Sequence, residues 1–197
     1  MKPLTKSRFR LGLECPNKLF FTGKKEYASK KIDDPFLEDL AKGGFQVEAL
    51  ARFSYPKGVF VEAENWDYEG AAQITMDAFA QENTCLFEAA FAAGNLFVRS
   101  DIVEKNGSEV KLIEVKAKSA DSTDPNIFFG VRGGMNLGWI PYLYDLAFQK
   151  YVAQKAFPNL KFSAFLMLAD KSKKATVNGL NQMFRIHRDA DPRKEID

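Results

Sequence analysis

Two runs of alternating apolar and polar residues, "NLFVRSDIV" and "VKLIEVKA", flank the pair Asn106-Gly107. Runs of this kind read as β-strands, and Asn-Gly between them is a strong hairpin signal. The two strands must then lie side by side, and their register decides which side chains meet. A two-residue turn places Asp101 opposite Leu112 and diagonal to Glu114. A four-residue loop, Asn106 to Glu109, places Asp101 directly opposite Glu114 and pairs Glu104 with Lys111 and Ile102 with Ile113, so it is the favoured register. Either arrangement puts Asp101, Glu114 and Lys116 on one face, because side chains alternate along a strand. Only a three-residue loop would split them.

Around this hairpin the chain alternates in type. Thr5 or Ser7 is placed to cap a first helix, which should end at Cys15 because Pro16 disfavours helical geometry in the residue before it. Asp34 and Pro35 open a second helix that Gly43-Gly44 should close, and "FQVEALARFSY" forms another, closed by Pro56 and Gly58. Asp67 caps a helix over roughly Tyr68 to Gln81, with Ala71, Ile74, Ala78 and Phe79 on its buried side. "TCLFEAAFAA", the two hairpin strands and "KFSAFLMLA" supply the strands. A Gly-rich loop lies around 125–138, and a helix runs from about Pro141 to Phe157. Helices, a three-strand meander, a helix and a further strand indicate one α/β domain over 1–170 with a mixed central sheet flanked by helices. Residues 171–197 read as a polar tail or linker, compatible with a chain cut from a longer one.

The charge pattern excludes some classes and favours others. The chain has 197 residues, enough for one sizeable core, and a formal net charge of only +2. Between residues 2 and 31, however, nine lysines and arginines face two acids, which suits a phosphate-facing surface or a solvated basic face. No apolar run approaches the ~18 residues of a membrane span, and the N-terminus lacks an apolar leader core. Cys15 and Cys85 form no C-x-x-C pair and read as reduced thiols of a cytoplasmic protein. His187, the one histidine, sits in a basic polar stretch, which argues against Ser-His or Cys-His chemistry.

Two carboxylates roughly 5 Å apart repel unless a proton or cation lies between them. Oxygen donors suit Mg²⁺ or Mn²⁺. A lysine two residues along the strand can polarise a water or offset charge growing on a phosphate, and a metal can lower the pKa of that water. The constellation therefore points to phosphodiester hydrolysis. The competing reading is a salt bridge on a solvated sheet face, which the apolar neighbours in "LIEVKA" weigh against. Gly130, Gly133 and Gly134 are no P-loop, since no Gly-Lys-Ser/Thr follows. Arg132 in that loop and Lys118 after the motif are in position to reach phosphate. Trp139, Tyr142 and Tyr144 are candidates to stack on bases or to fill the core.

"SDIV…LIEVKAKS" resembles the signature of the PD-(D/E)XK nuclease superfamily, an Asp ending one strand and Glu-x-Lys on the next. "SRFRLGLECPNKLFF", "GGFQVEALA" and "PYLYDLAFQKYV" resemble further motifs of its RecB-like branch, which includes the CRISPR-adaptation exonucleases, and most closely an uncharacterised bacterial family within it. The likeness runs over roughly residues 4–169. It implies a restriction-endonuclease-like fold and a Mg²⁺- or Mn²⁺-dependent deoxyribonuclease acting in DNA repair, recombination or defence. It also implies roles: Asp101 and Glu114 as metal ligands with the Val115 carbonyl as a third oxygen, Lys116 as the catalytic lysine, and Gln149 as a positioning residue. Glu48 stands where the family often has His and would join the metal, and Glu88 is a further acidic candidate at the first strand. Two departures matter. Ala153 stands where the Gln motif usually has Tyr, leaving Tyr151 or Tyr144 to substitute. Cys15 matches the first cysteine of the relatives' iron–sulfur site, but no cysteine follows Cys85, so a four-Cys cluster is not expected in this chain; either it is lost or a C-terminal domain is missing. The alternative function is a DNA-binding or scaffolding module that kept the fold without catalysis.

Overall fold

The computed structural model describes residues 2–24, 26–27, 35–64, 66–179 and 182–183. The expected cap Asp34 and the histidine His187 lie outside them. Eleven elements follow in chain order: β1 (Leu4–Thr5), α1 (Lys6–Glu14), α2 (Pro16–Phe21), α3 (Pro35–Arg52), β2 (Val59–Phe60), α4 (Tyr68–Ala78), β3 (Asn83–Ala93), β4 (Leu96–Asn106), β5 (Glu109–Ala120), α5 (Ile140–Ala156) and β6 (Lys161–Asp170). The protein is α/β, with a six-stranded mixed sheet in the order β2-β3-β4-β5-β6 and β1 added parallel to β4. β3, β4 and β5 form the antiparallel meander, and α5 carries the chain over to β6, which runs parallel to β5. The apolar face of β5 at Val110 and Leu112 packs with Phe148, Val152 and Ala153 of α5, and with Phe91 and Val98. Ile113 and Val115 pack on the opposite face with Ala51 of α3 and Phe87. Among the described residues, no helix is long and apolar enough to cross a membrane.

Local signals at the helix starts behave as expected. Thr5 accepts the Arg8 N–H at 3.4 Å and Asp67 accepts the Gly70 N–H at 2.8 Å. α1 ends at Cys15, and Pro16 opens the short α2, a helix not expected from the sequence.

Three expectations require correction. Gly43-Gly44 does not separate two helices, because α3 runs unbroken through both. Two glycines cost a helix about 1 kcal/mol each, but packing of Val47 and Ala51 against the sheet holds the turns beyond them. On α4 the buried row is Ala71, Thr75 and Phe79, spaced by four, and Ile74 lies off it, 38% exposed. Thr75 satisfies its hydroxyl by donating to the Ala71 carbonyl and accepting the Ala90 N–H at 2.9 Å. The hairpin register is the favoured one, with Ile102 opposite Ile113 and Glu104 opposite Lys111. Its loop is tighter than expected: Asn106 and Glu109 still pair, so the turn is Gly107-Ser108, with Gly107 at φ 57°.

Candidate metal and hydrolytic site

The sheet opens where the acids sit. β4 and β5 pair from Asn106–Glu109 up to Ile102–Ile113, and there the ladder stops. Beyond that point β5 continues to pair with β6 through Glu114, Val115 and Lys116. On the same edge of β4, pairing resumes only at Phe97 and Leu96, with β1. Asp101 thus lies in a gap between strands, and its Oδ2 takes the Val115 N–H at 2.7 Å in place of a ladder bond. β3 is irregular at the same level. Phe87 pairs with Ile102 and Ala89 with Ser100, while Glu88 between them takes φ 57°. A left-handed backbone at a non-glycine residue costs about 1–3 kcal/mol and persists only where its surroundings impose it.

This opening brings three acids together. Glu48 of α3, Glu88 of β3 and Asp101 of β4 each place one carboxylate oxygen so that all three lie within 4.8 Å of one another. Glu48 and Asp101 border a cleft of about 540 Å³ lined also by Gly44, Val115, Lys116, Lys118 and Tyr142. Glu48 is ion-paired to Arg52 one turn on, and that guanidinium lies over the Phe60 ring at 4.8 Å. Burial, and then the charge of Glu114, push the Asp101 carboxyl up to about 8, against the opposing pull of Lys6 and Lys116. Asp101 thus keeps a proton near neutrality. Its oxygen-only donor set fits Mg²⁺ or Mn²⁺ and does not fit a thiophilic metal.

Glu114 belongs to a different constellation. Its side chain is fully buried, and its Oε1 accepts Lys6 Nζ at 2.6 Å and Lys116 Nζ. Its Oε2 accepts Gln149 Nε2 at 2.6 Å, and the Gln149 carbonyl accepts the Ser100 hydroxyl. Burial alone would raise the Glu114 carboxyl, but Lys6 and Lys116 outweigh it and hold the group below its usual range. Lys6 in turn is raised: burial works against its charge, and Glu114, Asp101 and Asp145 overcome that. Asp145, one turn before Gln149 on α5, is also buried; its Oδ2 lies 3.5 Å from Arg10 and its Oδ1 has no partner.

The residues singled out from sequence therefore divide into two groups. Asp101 and Glu48 meet in the acid cluster, joined by Glu88. Glu114, Lys116 and Gln149 form the adjoining buried network, and no acid triad within that radius among the described residues includes Glu114. Lys118 donates to the Gly138 carbonyl at 2.8 Å and lies 4.1 Å above the Trp139 ring. Trp139 is buried, whereas Tyr144 and Tyr151 are exposed. Cys15 and Cys85 are free thiols. Sequence reasoning missed Lys6, Ser100 and Asp145. The spacing of four between Asp145 and Gln149 was a usable signal, since it puts both on one helical face; nothing local marked Lys6. Neither a family model, a curated protein nor a solved structure matches this chain.

Proposed function

We propose that this chain is a metal-dependent deoxyribonuclease of the PD-(D/E)XK superfamily, RecB-like branch, with a restriction-endonuclease-like fold over residues 1–170. One observation carries the reading: the sheet parts beside Asp101, where three carboxylates from separate elements converge, and two of them, Glu48 and Asp101, line a cleft together with Lys116. Glu48, Glu88 and Asp101 would hold Mg²⁺ or Mn²⁺, with the Val115 backbone beside them. A divalent ion there supplies Lewis acidity and a water of lowered pKa. Lys116, aimed by Glu114, stabilises negative charge on the scissile phosphate. Gln149 fixes Glu114 through Oε2 and is a positioning residue. Lys118 and Tyr142 line the cleft and would meet the DNA backbone and bases. The free thiols accord with a cytoplasmic setting, and the enzyme would act in DNA repair, recombination or defence.

A second reading, a DNA-binding module without catalysis, draws on the engagement of Lys116 with Glu114. Digestion of labelled single- and double-stranded oligonucleotides with and without Mn²⁺ separates the two. The nuclease reading expects Mn²⁺-dependent cleavage that Asp101→Asn and Lys116→Met each abolish. DNA binding with no metal-dependent cleavage would refute it in favour of the module.

A further inference from the structure

Between Ile127 and Trp139 the chain makes a small glycine-rich hairpin with a fixed foot and a bare apolar tip. Phe129 and Met135 form a β-bridge. Inside it, the Gly130 N–H donates to the Gly134 carbonyl at 2.6 Å and the Gly133 N–H to the Gly130 carbonyl at 2.8 Å. Gly133 takes φ 78°, a conformation that favours glycine. At the foot, the Asn136 N–H donates to the Phe128 carbonyl at 2.9 Å. The buried Trp139 donates from Nε1 to the Ile127 carbonyl at 2.7 Å, and its ring lies 5.1 Å from that of Phe128.

Lys118 joins this foot to the cleft, because it lines the cleft and donates to the Gly138 carbonyl at 2.8 Å. Leu137 precedes Gly138, so its backbone lies one residue from that contact, and it is 78% exposed. Val131 at the tip is fully exposed, and Phe129 and Met135 are exposed as well. Single exposed apolar residues are ordinary, whereas several gathered on one hairpin mark a contact surface. Residues 126–138 hold one charged side chain, Arg132, and no acid. The hairpin therefore meets its partner with apolar groups and positive charge. That combination fits DNA, with the cations for phosphate and the apolar groups for the faces of unstacked bases.

We propose that hairpin 128–138 is a wedge for DNA held in the cleft: its exposed apolar residues enter between neighbouring bases and unstack them, while Arg132 holds an adjacent phosphate. The inference rests on the nuclease reading above and deepens it. A duplex is opened at the rim before its strand reaches Asp101 and Lys116, whereas a single strand needs no opening.

The test uses the 197-residue chain, a duplex carrying 2-aminopurine near one end, and the matching single strand. Binding is followed by anisotropy with Ca²⁺ in place of Mn²⁺, and cleavage is followed with Mn²⁺. The variants are Val131→Ser/Leu137→Ser and Arg132→Ala, all at exposed positions, with melts to establish that each is folded. Wild type should raise the 2-aminopurine fluorescence of the bound duplex, and the double variant should lose that rise. Its duplex cleavage should fall by about fivefold or more, the loss expected from one stacking contact, with single-strand cleavage unchanged. Arg132→Ala should lower the salt slope of binding by about 1. A bound duplex without a fluorescence rise, or a double variant that cuts both substrates as wild type does or loses both equally, overturns the wedge, while wild-type cleavage leaves the nuclease reading standing. Self-association that the double variant abolishes, with no fluorescence rise, assigns the hairpin to a second copy of the chain and also overturns it. Absence of DNA binding and cleavage by the wild type overturns the nuclease reading and the wedge with it.

Discussion

Replacing Gln149 with leucine changes little volume but removes both polar contacts of a residue with no exposed surface. Glu114 Oε2 loses its amide donor, and the Ser100 hydroxyl loses its acceptor. A hydrogen bond to a charged group contributes about 1.5–3 kcal/mol, and a buried hydroxyl left unmade costs about 1–3 kcal/mol. Glu114 keeps both ammoniums on Oε1, so no uncompensated charge is created. Leucine also avoids the desolvation of an amide, an offset of about 1–2 kcal/mol. The net expectation is a destabilisation of about 0.5–5 kcal/mol, centred near 3 kcal/mol, read by urea denaturation, with a fall in Tm of roughly 1–20 °C for a chain of this size. Adding Ser100→Ala to Gln149→Leu should recover about 1 kcal/mol, because the orphaned hydroxyl is gone. If Gln149→Leu lies within about 0.5 kcal/mol of wild type, or if the two substitutions are simply additive, the Ser100–Gln149–Glu114 chain does not exist in solution.

The metal-free protein should lose stability as pH rises from about 4 towards 8, followed by urea titration in EDTA. Asp101 is raised in the folded state, so its contribution is complete below the unfolded carboxyl range and is lost as pH passes through its folded value of about 8. Glu114 is lowered, so its contribution is already constant above the usual carboxylate range and does not cancel that slope; Asp145, raised by burial, adds a slope of the same sign, so Asp101→Asn should reduce the slope without abolishing it. Gly58→Ala places a Cβ 2.1 Å from the Phe87 ring, so it should destabilise by about 1–3 kcal/mol in the same assay, and a neutral result would contradict the packing of β2 on β3. Thr75→Val leaves the Ala90 N–H without its acceptor inside the core, with an expected cost of about 1–3 kcal/mol and faster hydrogen exchange at Ala90.

The hairpin was legible because its signals are local. Alternation sorts Ile113 and Val115 from Glu114 and Lys116, and the Glu104–Lys111 pairing, met at 3.3 Å, selects the register. The caps Thr5 and Asp67 were legible for the same reason: a side-chain oxygen reaches an N–H three residues on whatever the rest of the chain does. α3 was misread because glycine propensity is a weak local preference, and burial of Ala51 against a sheet distant in sequence overrides it.

The sequence by itself determined the strands, the helix starts, and the face on which Glu114 and Lys116 lie together, since a period of two leaves no other choice. Only the tertiary structure decided which acids meet. β5 leaves β4 to stay paired with β6, and that divergence opens the gap at Asp101. The irregularity at Glu88 and the unbroken α3 place the other two carboxylates around the gap, and the start of α1 delivers Lys6 to Glu114. The physical reason is that periodicity fixes direction along one element, whereas distances between elements follow from where backbone pairing ends and from the core that each helix buries.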